Sequence, residues 1–208
     1  MDRDSGELRV GNDVVHRRDP HIAAHHLKRR FVDRVCSAGE AERVRASRES
    51  GLLLWSLWAA KEAAYKAVVK LRPGTPFAHR RFVVAQTLAG VRYEDLLLSL
   101  EVETNEDWVH AVACTGETAV LSSVERMEDG ADQKEAVRAL ALREVAARFD
   151  LPRDRLEIVR PPNAGGRPGP PQLLIDGRAT GVDISLSHDG PFVACAAVFS
   201  GQPLSPPS

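Results

Sequence analysis

The sequence predicts an α+β protein made of two halves, each a helix laid against an antiparallel meander of strands. Two observations carry this. A long helical stretch, residues 52–69, is followed after a Pro/Gly break by three alternating, strand-like pieces, and a second helical stretch, Gln133–Phe149, is again followed by strands. The last strand of each set also reads alike. WVHAVAC, Trp108–Cys114, lies over PFVACAA, 191–197, with Ala111 matching Ala194 and Ala113 matching Ala196. At 208 residues the chain is long enough to bury a core without disulfide or metal staples.

The elements follow in order. Residues 8–15, LRVGNDVV, read as a short strand, and the basic, histidine-rich stretch 21–34 has helical spacing at Ile22, Leu27 and Phe31, continued by Val35. The helix at 52–69 ends at the break 72–76. Strands are then expected at 81–87, 96–103 and Trp108–Cys114, with a turn at 104–107. The polar stretch 122–131 is the expected linker between a first half, 1–121, and a second, 132–200. Asp132, with Glu135 three residues on, reads as a helix start of the capping-box kind, and the helix it opens puts Val137, Leu140, Ala141, Val145 and Phe149 on one face. A loop of five prolines and three glycines, 161–171, leads to a strand at 182–187, a turn through Asp189, Gly190 and Pro191, and the strand Phe192–Phe199. The tail GQPLSPPS, 201–208, is expected to be disordered.

Composition narrows the function. A formal net charge of -1, with 27% charged residues, offers no global field for nucleic acid or anionic lipid, and neither partner is expected. The longest apolar stretches, 51–60 and 191–200, fall short of a membrane span, and MDRDSGEL lacks the apolar core of a secretory signal, so the chain is expected in the cytoplasm. Cys36, Cys114 and Cys195 are odd in number and unpaired in spacing, which suits small buried hydrophobes better than a disulfide or zinc site. Only five of the 28 basic residues are lysine, and three of those, Lys61, Lys66 and Lys70, share one helix. Lysine is a compact, mobile point charge of tunable pKa, so the cluster either marks chemistry or follows from an arginine-rich composition.

The helix WSLWAAKEAAYKAVVK shows two unlike faces when its residues are set about 100° apart. Ala60, Ala63, Ala64, Ala67 and Val68 form a small apolar arc suited to close packing, while Trp58, Tyr65 and Val69 form another, with Glu62 among them and Lys61 and Lys66 flanking it. A carboxylate among aromatic rings is costly unless paired or holding a metal, and Glu62 and Lys66 stand in the favourable i,i+4 order for a helical salt bridge. In VGNDVV, alternation sets Gly11, Asp13 and Val15 on one face, with Asp13 bracketed by apolar neighbours. Asp13 either caps a turn or, meeting Glu62, makes a hard oxygen site of the kind Mg²⁺ takes with one or two carboxylates, water and substrate phosphates. Ser187 and His188 end a strand ahead of a tight turn, where hydroxyl, imidazole and turn amides can meet an anion. As adjacent strand residues they face opposite ways, which argues against a nucleophile–base pair.

Together GNDVV, WAAKEAAYK (58–66) and SLSHDGPFVACAAV resemble the three signatures of the 4'-phosphopantetheinyl transferase superfamily. EAVRALALREVAARFDL with GGRP and SLSHDG is similar to the front half of the Sfp type of that superfamily, and FVDRVCSAGE, running up to WAAKEAAYK, to its back half. The resemblance touches most of the chain, but the halves stand in reverse order, since in the Sfp type the SHSG half comes first. A 4'-phosphopantetheinyl transferase-like pseudo-dimer with permuted halves, working as a monomer, is therefore expected. The alternative is a holo-acyl-carrier-protein synthase, whose motifs do run in this order, with an insertion; that type would need a trimer.

The resemblance implies transfer of 4'-phosphopantetheine from coenzyme A to a serine of an acidic apo acyl or peptidyl carrier protein, with Mg²⁺, giving holo carrier protein and 3',5'-ADP. It implies Mg²⁺ on Asp13 and Glu62, with Glu62 or a water taking the serine proton and Lys66 steadying or protonating the leaving phosphate. Lys61 would touch phosphate, and Arg138, Arg167, Ser187 and His188 would hold coenzyme A phosphates, Arg167 standing where lysine is more usual. Glu40 matches an acidic family position and is given an orienting role. The basic run HHLKRR, 25–30, is either the docking surface for the carrier or a solvated helix face. Val15 stands where the Sfp pattern has a third metal-binding acid, which leaves a two-carboxylate site. GVDIS, 181–185, mimics the Asp13 motif, but only 23 residues follow it, too few for a KEA helix, so the metal is assigned to Asp13 and not Asp183. Val15 and the reversed order also leave a rival reading, a carrier-protein or coenzyme A binder that has lost transfer activity, and a third, a plain Mg²⁺-dependent phosphohydrolase.

Overall fold

In the computed structural model, residues 7–22, 24–163 and 165–199 are described, and the tail expected to be disordered lies outside them. The chain folds as an α+β protein in two halves that follow the same path. The first half runs β1 (Val10–His16), α1 (Arg29–Val35), α2 (Ala38–Ala46), α3 (Ser50–Leu71), β2 (Phe82–Val84), β3 (Gly90–Tyr93), β4 (Leu96–Thr104) and β5 (Trp108–Cys114). The second runs β6 (Leu121–Arg126), α4 (Gln133–Phe149), β7 (Leu156–Val159), β8 (Gln172–Ile175), β9 (Arg178–Asp189) and β10 (Phe192–Phe199). Each half makes a five-stranded sheet, ordered β1-β5-β4-β3-β2 and β6-β10-β9-β8-β7. Both orders are one pattern: a first strand, a helical connection, then a four-stranded meander whose last strand returns beside the first. The echo between WVHAVAC and FVACAA falls on β5 and β10, the equivalent strands.

Local sequence explains the main elements. The alanine arc of α3 is fully buried, and β1 lies so close to it that a Cβ built on Gly11 would stand 1.9 Å from the carbonyl oxygen of Ala63. Only glycine fits there. Ser37 and Glu40 close a reciprocal capping box on α2, and Asp132 caps α4 by accepting from the N–H groups of Lys134 and Glu135. Val137, Leu140, Ala141 and Val145 bury the inner face of α4 against β9 and β10, with Phe149 packed at its end. The three cysteines are free and buried; burial pushes the thiols of Cys36 and Cys195 up to about 11 and 12, so they pack as hydrophobes.

Several elements depart from expectation, and α2 and β3 lie where none was expected. The polar stretch expected as a linker begins as β6, a half-exposed strand paired with β10 from Leu121↔Ala197 to Arg126↔Phe192. An edge strand needs little apolar surface, so its serines and glutamate read as linker. The helix expected across 21–34 is broken into a 3-10 turn, His25–Leu27, and α1. β7 and β8 flank the Pro/Gly-rich loop and are too short, at four residues each, to show a period.

The halves meet along β1 and β9 without strand pairing. The N–H groups of Val10, Asn12 and His16 donate to Asp183 Oδ2, Ser185 Oγ and Asp189 Oδ2, at 2.8, 2.9 and 2.7 Å, each at the same sequence offset. A constant offset means that the strands run in the same direction, and that Asp183, Ser185 and Asp189, on one face of β9, reach the free edge of β1 and satisfy three of its amides. Val10, Val112, Cys114, Ala196 and Val198 pack beneath one end of this seam, and Val14, Phe192 and Ala194 beneath the other. Among the described residues no helix is long and apolar enough to cross a membrane.

Candidate active site

Gly11 brings β1 against α3, and Asp13, two residues on, points the same way. Lys66 Nζ lies 2.8 Å from Asp13 Oδ1 and 2.8 Å from the carbonyl oxygen of Asn12. The lysine thus reaches across to the strand instead of back along the helix to Glu62. Glu62, one turn earlier, accepts no hydrogen bond among the described residues, and its one ion-pair neighbour there is His79, with Nε2 3.9 Å from Oε1. Burial, then the charge of Asp13, pushes the Glu62 carboxyl up to about 7, against the pull of Lys66. Burial likewise raises Asp13, with Asp189 adding to the rise and Lys66 and His188 opposing it.

The Lys66 ammonium therefore pairs with Asp13 alone and reaches Glu62 only through its charge, and Asp13 Oδ2 takes part in no hydrogen bond among the described residues. This is a hard, oxygen-rich place short of positive charge. No cluster of three or more His, Cys, Asp and Glu side chains that could hold a metal ion occurs among the described residues, so a cation here would find at most the two carboxylates of Asp13 and Glu62. A cation that keeps most of its shell for water and phosphate oxygens, as Mg²⁺ does, fits that set.

The other expected residues divide. His188 is exposed at the end of β9, close enough to Asp13 for its charge to be felt. Ser187 is instead buried, its Oγ accepting from Asn12 Nδ2 at 3.0 Å; the hydroxyl expected on coenzyme A is drawn into the seam. Lys61 is corrected as well. It is wholly buried, donating to Glu40 Oε2 at 2.7 Å and to the carbonyl oxygens of Phe82 and His79, so its three N–H bonds are used and none is left for phosphate. Glu40 also accepts from the N–H groups of Ser37 and Val84, and it orients the chain around Lys61. Arg138 is exposed on α4 and in no ion pair among the described residues. Arg167 is exposed in a loop pinned by Asn163, whose Oδ1 accepts from its N–H.

A sequence model of the family described as the 4'-phosphopantetheinyl transferase superfamily matches residues 9–113, the span that holds Asp13, Glu62 and Lys66. The chain belongs to that superfamily. The crystal structure of holo-[acyl-carrier-protein] synthase from Thermotoga maritima is similar, at 16% identity and a TM-score of 0.36, over 76% of this chain and 79% of that one. No curated protein matches.

In this superfamily member, four residues of the site region escaped the sequence reading. Asn12 is wholly buried, and its amide nitrogen spans Ser187 Oγ and His110 Nε2. Its place between Gly11 and Asp13 was the available signal. Lys70, which the sequence offered only as a member of the lysine cluster, is buried and donates to Asp183 Oδ2 and to the carbonyl oxygens of Val10 and Ile184. Arg160 donates to the carbonyl oxygen of Gly169, and neither it nor Arg138 forms an ion pair among the described residues; burial, then the charge of Arg138, lowers its pKa. His79 had no signal in the sequence, because only the fold brings it to Glu62.

Proposed function

We propose that this superfamily member transfers 4'-phosphopantetheine from coenzyme A to a serine of an apo acyl or peptidyl carrier protein, giving holo carrier protein and 3',5'-ADP. The observation that carries the reading is the meeting of Asp13, Glu62 and Lys66 at the seam where His188 arrives from the other half. Held by Asp13 and Glu62, Mg²⁺ would supply neutralisation of the charge that develops on the pyrophosphate. Without a cation the Glu62 carboxyl is pushed up to about 7; a cation held beside it would favour the ionised form, the one that can take the serine proton. The serine oxygen bonds to the phosphorus that bears pantetheine, and the bond from that phosphorus to the bridging oxygen breaks. Lys66 spends two N–H bonds on Asp13 and Asn12 and keeps one for the departing phosphate.

His188, Arg138 and Arg167 remain the proposed coenzyme A phosphate contacts, and Arg160 joins Arg138. Two guanidiniums that feel each other's charge and form no ion pair among the described residues suit a phosphate. For the acidic carrier, the stretch 25–30 offers an exposed Leu27 beside a hollow of about 450 Å³ lined by Leu27, Arg29, Val32 and Arg45. The repeated strand–helix–meander path supports a permuted pseudo-dimer over a synthase carrying an insertion, and hence a monomer.

The test is mass spectrometry of several apo carrier proteins incubated with coenzyme A and Mg²⁺. A phosphopantetheine adduct is expected; no adduct on any carrier defeats the reading, and coenzyme A turnover without a carrier favours hydrolysis.

A further inference from the structure

The imidazole of His79 is held in a way that its own packing does not require. Its Nε2 is buried, has no hydrogen-bond partner among the described residues, and lies 3.9 Å from Glu62 Oε1. A buried ring nitrogen without a partner is costly, so its orientation calls for a cause. The ring is clamped by Trp58 at 4.5 Å and Phe77 at 4.1 Å between centroids, and Phe77 in turn by Tyr65 at 4.5 Å. Trp58 and Tyr65 belong to the same arc of α3 as Glu62, so the helix that carries the carboxylate also carries one wall of the clamp.

The backbone is fixed as well. The carbonyl oxygen of His79 accepts from Lys61 Nζ at 3.2 Å, and Lys61 is the residue before Glu62, itself tied to Glu40 and Phe82. The buried lysine that leaves phosphate chemistry thereby fastens the 3-10 turn His79–Arg81 to the helix at the level of the glutamate.

We propose that His79 is a positioning residue for Glu62: Nε2–H holds Oε1, leaving the other carboxylate oxygen for the cation that Asp13 and Glu62 share. This rests on the reading of Asp13 and Glu62 as a cation site. Closing the gap from 3.9 Å to an ordinary hydrogen bond takes a shift of about 1 Å, within what such contacts do when a site is loaded. Residues that orient a metal-binding carboxylate typically control affinity by about 10- to 100-fold.

The experiment is calorimetric titration of the full-length chain with Mn²⁺, without carrier protein, on wild type, His79→Phe and His79→Gln, with thermal melts as a fold control. Phe keeps the aromatic packing and loses the donor; Gln restores a donor. His79→Phe is expected to weaken Mn²⁺ binding about 10-fold with an unchanged melting point, and His79→Gln to recover most of it. Wild-type binding that His79→Phe leaves unchanged, or a Gln variant no better than Phe, overturns the positioning role alone. Absence of Mn²⁺ binding by the wild type overturns the cation site and this role with it. If His79→Phe fails to fold, His79→Ala takes its place as the variant without a donor, and His79→Gln must bind Mn²⁺ more tightly than His79→Ala for the role to stand.

Discussion

Lys70 Nζ lies 2.8 Å from Asp183 Oδ2, the buried counterpart of Lys66 and Asp13 one helical turn earlier on α3. The two pairs have opposite duties. Lys70 also donates to the carbonyl oxygens of Val10 and Ile184, so one ammonium joins α3, β1 and β9. Removing one partner of a buried pair strands the other, and Lys70→Met is expected to cost about 3 kcal/mol or more, read from a urea midpoint. Lys66→Met, at the more exposed pair, is expected to cost under about 1 kcal/mol yet to slow transfer about 100-fold. The reverse pattern would refute the assignment.

Gly11→Ala is expected to damage both fold and site. The added methyl meets the Ala63 carbonyl oxygen at 1.9 Å and the Ala67 amide nitrogen at 2.8 Å, and backbone cannot yield as a side chain would. Overpacking of this kind costs about 3 kcal/mol, and relief by sliding β1 off α3 separates Asp13 from Lys66. A variant with wild-type stability and activity would show that the strand and helix are not in contact.

Glu62→Gln tests the chemistry with little risk to the fold, since the carboxylate accepts no hydrogen bond among the described residues and burial already disfavours its charge. Transfer is expected to fall about 100-fold or more, with a melting temperature equal to or above that of the wild type. An active Glu62→Gln enzyme sinks both the base and the cation assignment.

Acid should loosen the molecule through His110. Burial, then the charge of Lys66, pushes this imidazole down to about 4 from 6.5, and its Nε2 faces the donor Asn12 Nδ2 at 3.2 Å. The folded state therefore prefers the neutral ring while the unfolded chain takes up a proton near 6.5. Stability is full above that pH and declines as pH falls from 6.5 towards 4, by about 3 kcal/mol in all. Melts of His110→Gln across this window should show a flatter profile; identical slopes would place the acid sensitivity elsewhere.

Helices α3 and α4 and the last strand of each meander could be read from the chain, and Asp13, Glu62 and Lys66 could be singled out in it, because each rests on local pattern: an alanine arc, a two-residue alternation, a short signature. The partners of those residues could not. Lys61 and Lys66 flank Glu62 in sequence, but a helix turns them about 100° per residue and hands one to Glu40 and the other to Asp13. Ser187 read as a phosphate contact because it sits beside His188, and alternation sends the neighbouring side chains to opposite sides, one into the seam and one to solvent. GVDIS looked like a copy of the Asp13 motif. It lies on β9, the equivalent of β4, and Asp183 serves the boundary between halves.

The seam between β1 and β9 is held by side-chain oxygens, one ammonium and apolar contacts, so neither sheet borrows a strand from the other. Two separate polypeptides, cut between β5 and β6, would each keep a whole sheet and its helix, and would meet on faces already shaped for one another. The molecule is in this sense a ready-made complementation pair: neither fragment alone holds both Asp13 and His188, and their reunion would be reported by the appearance of the proposed transfer.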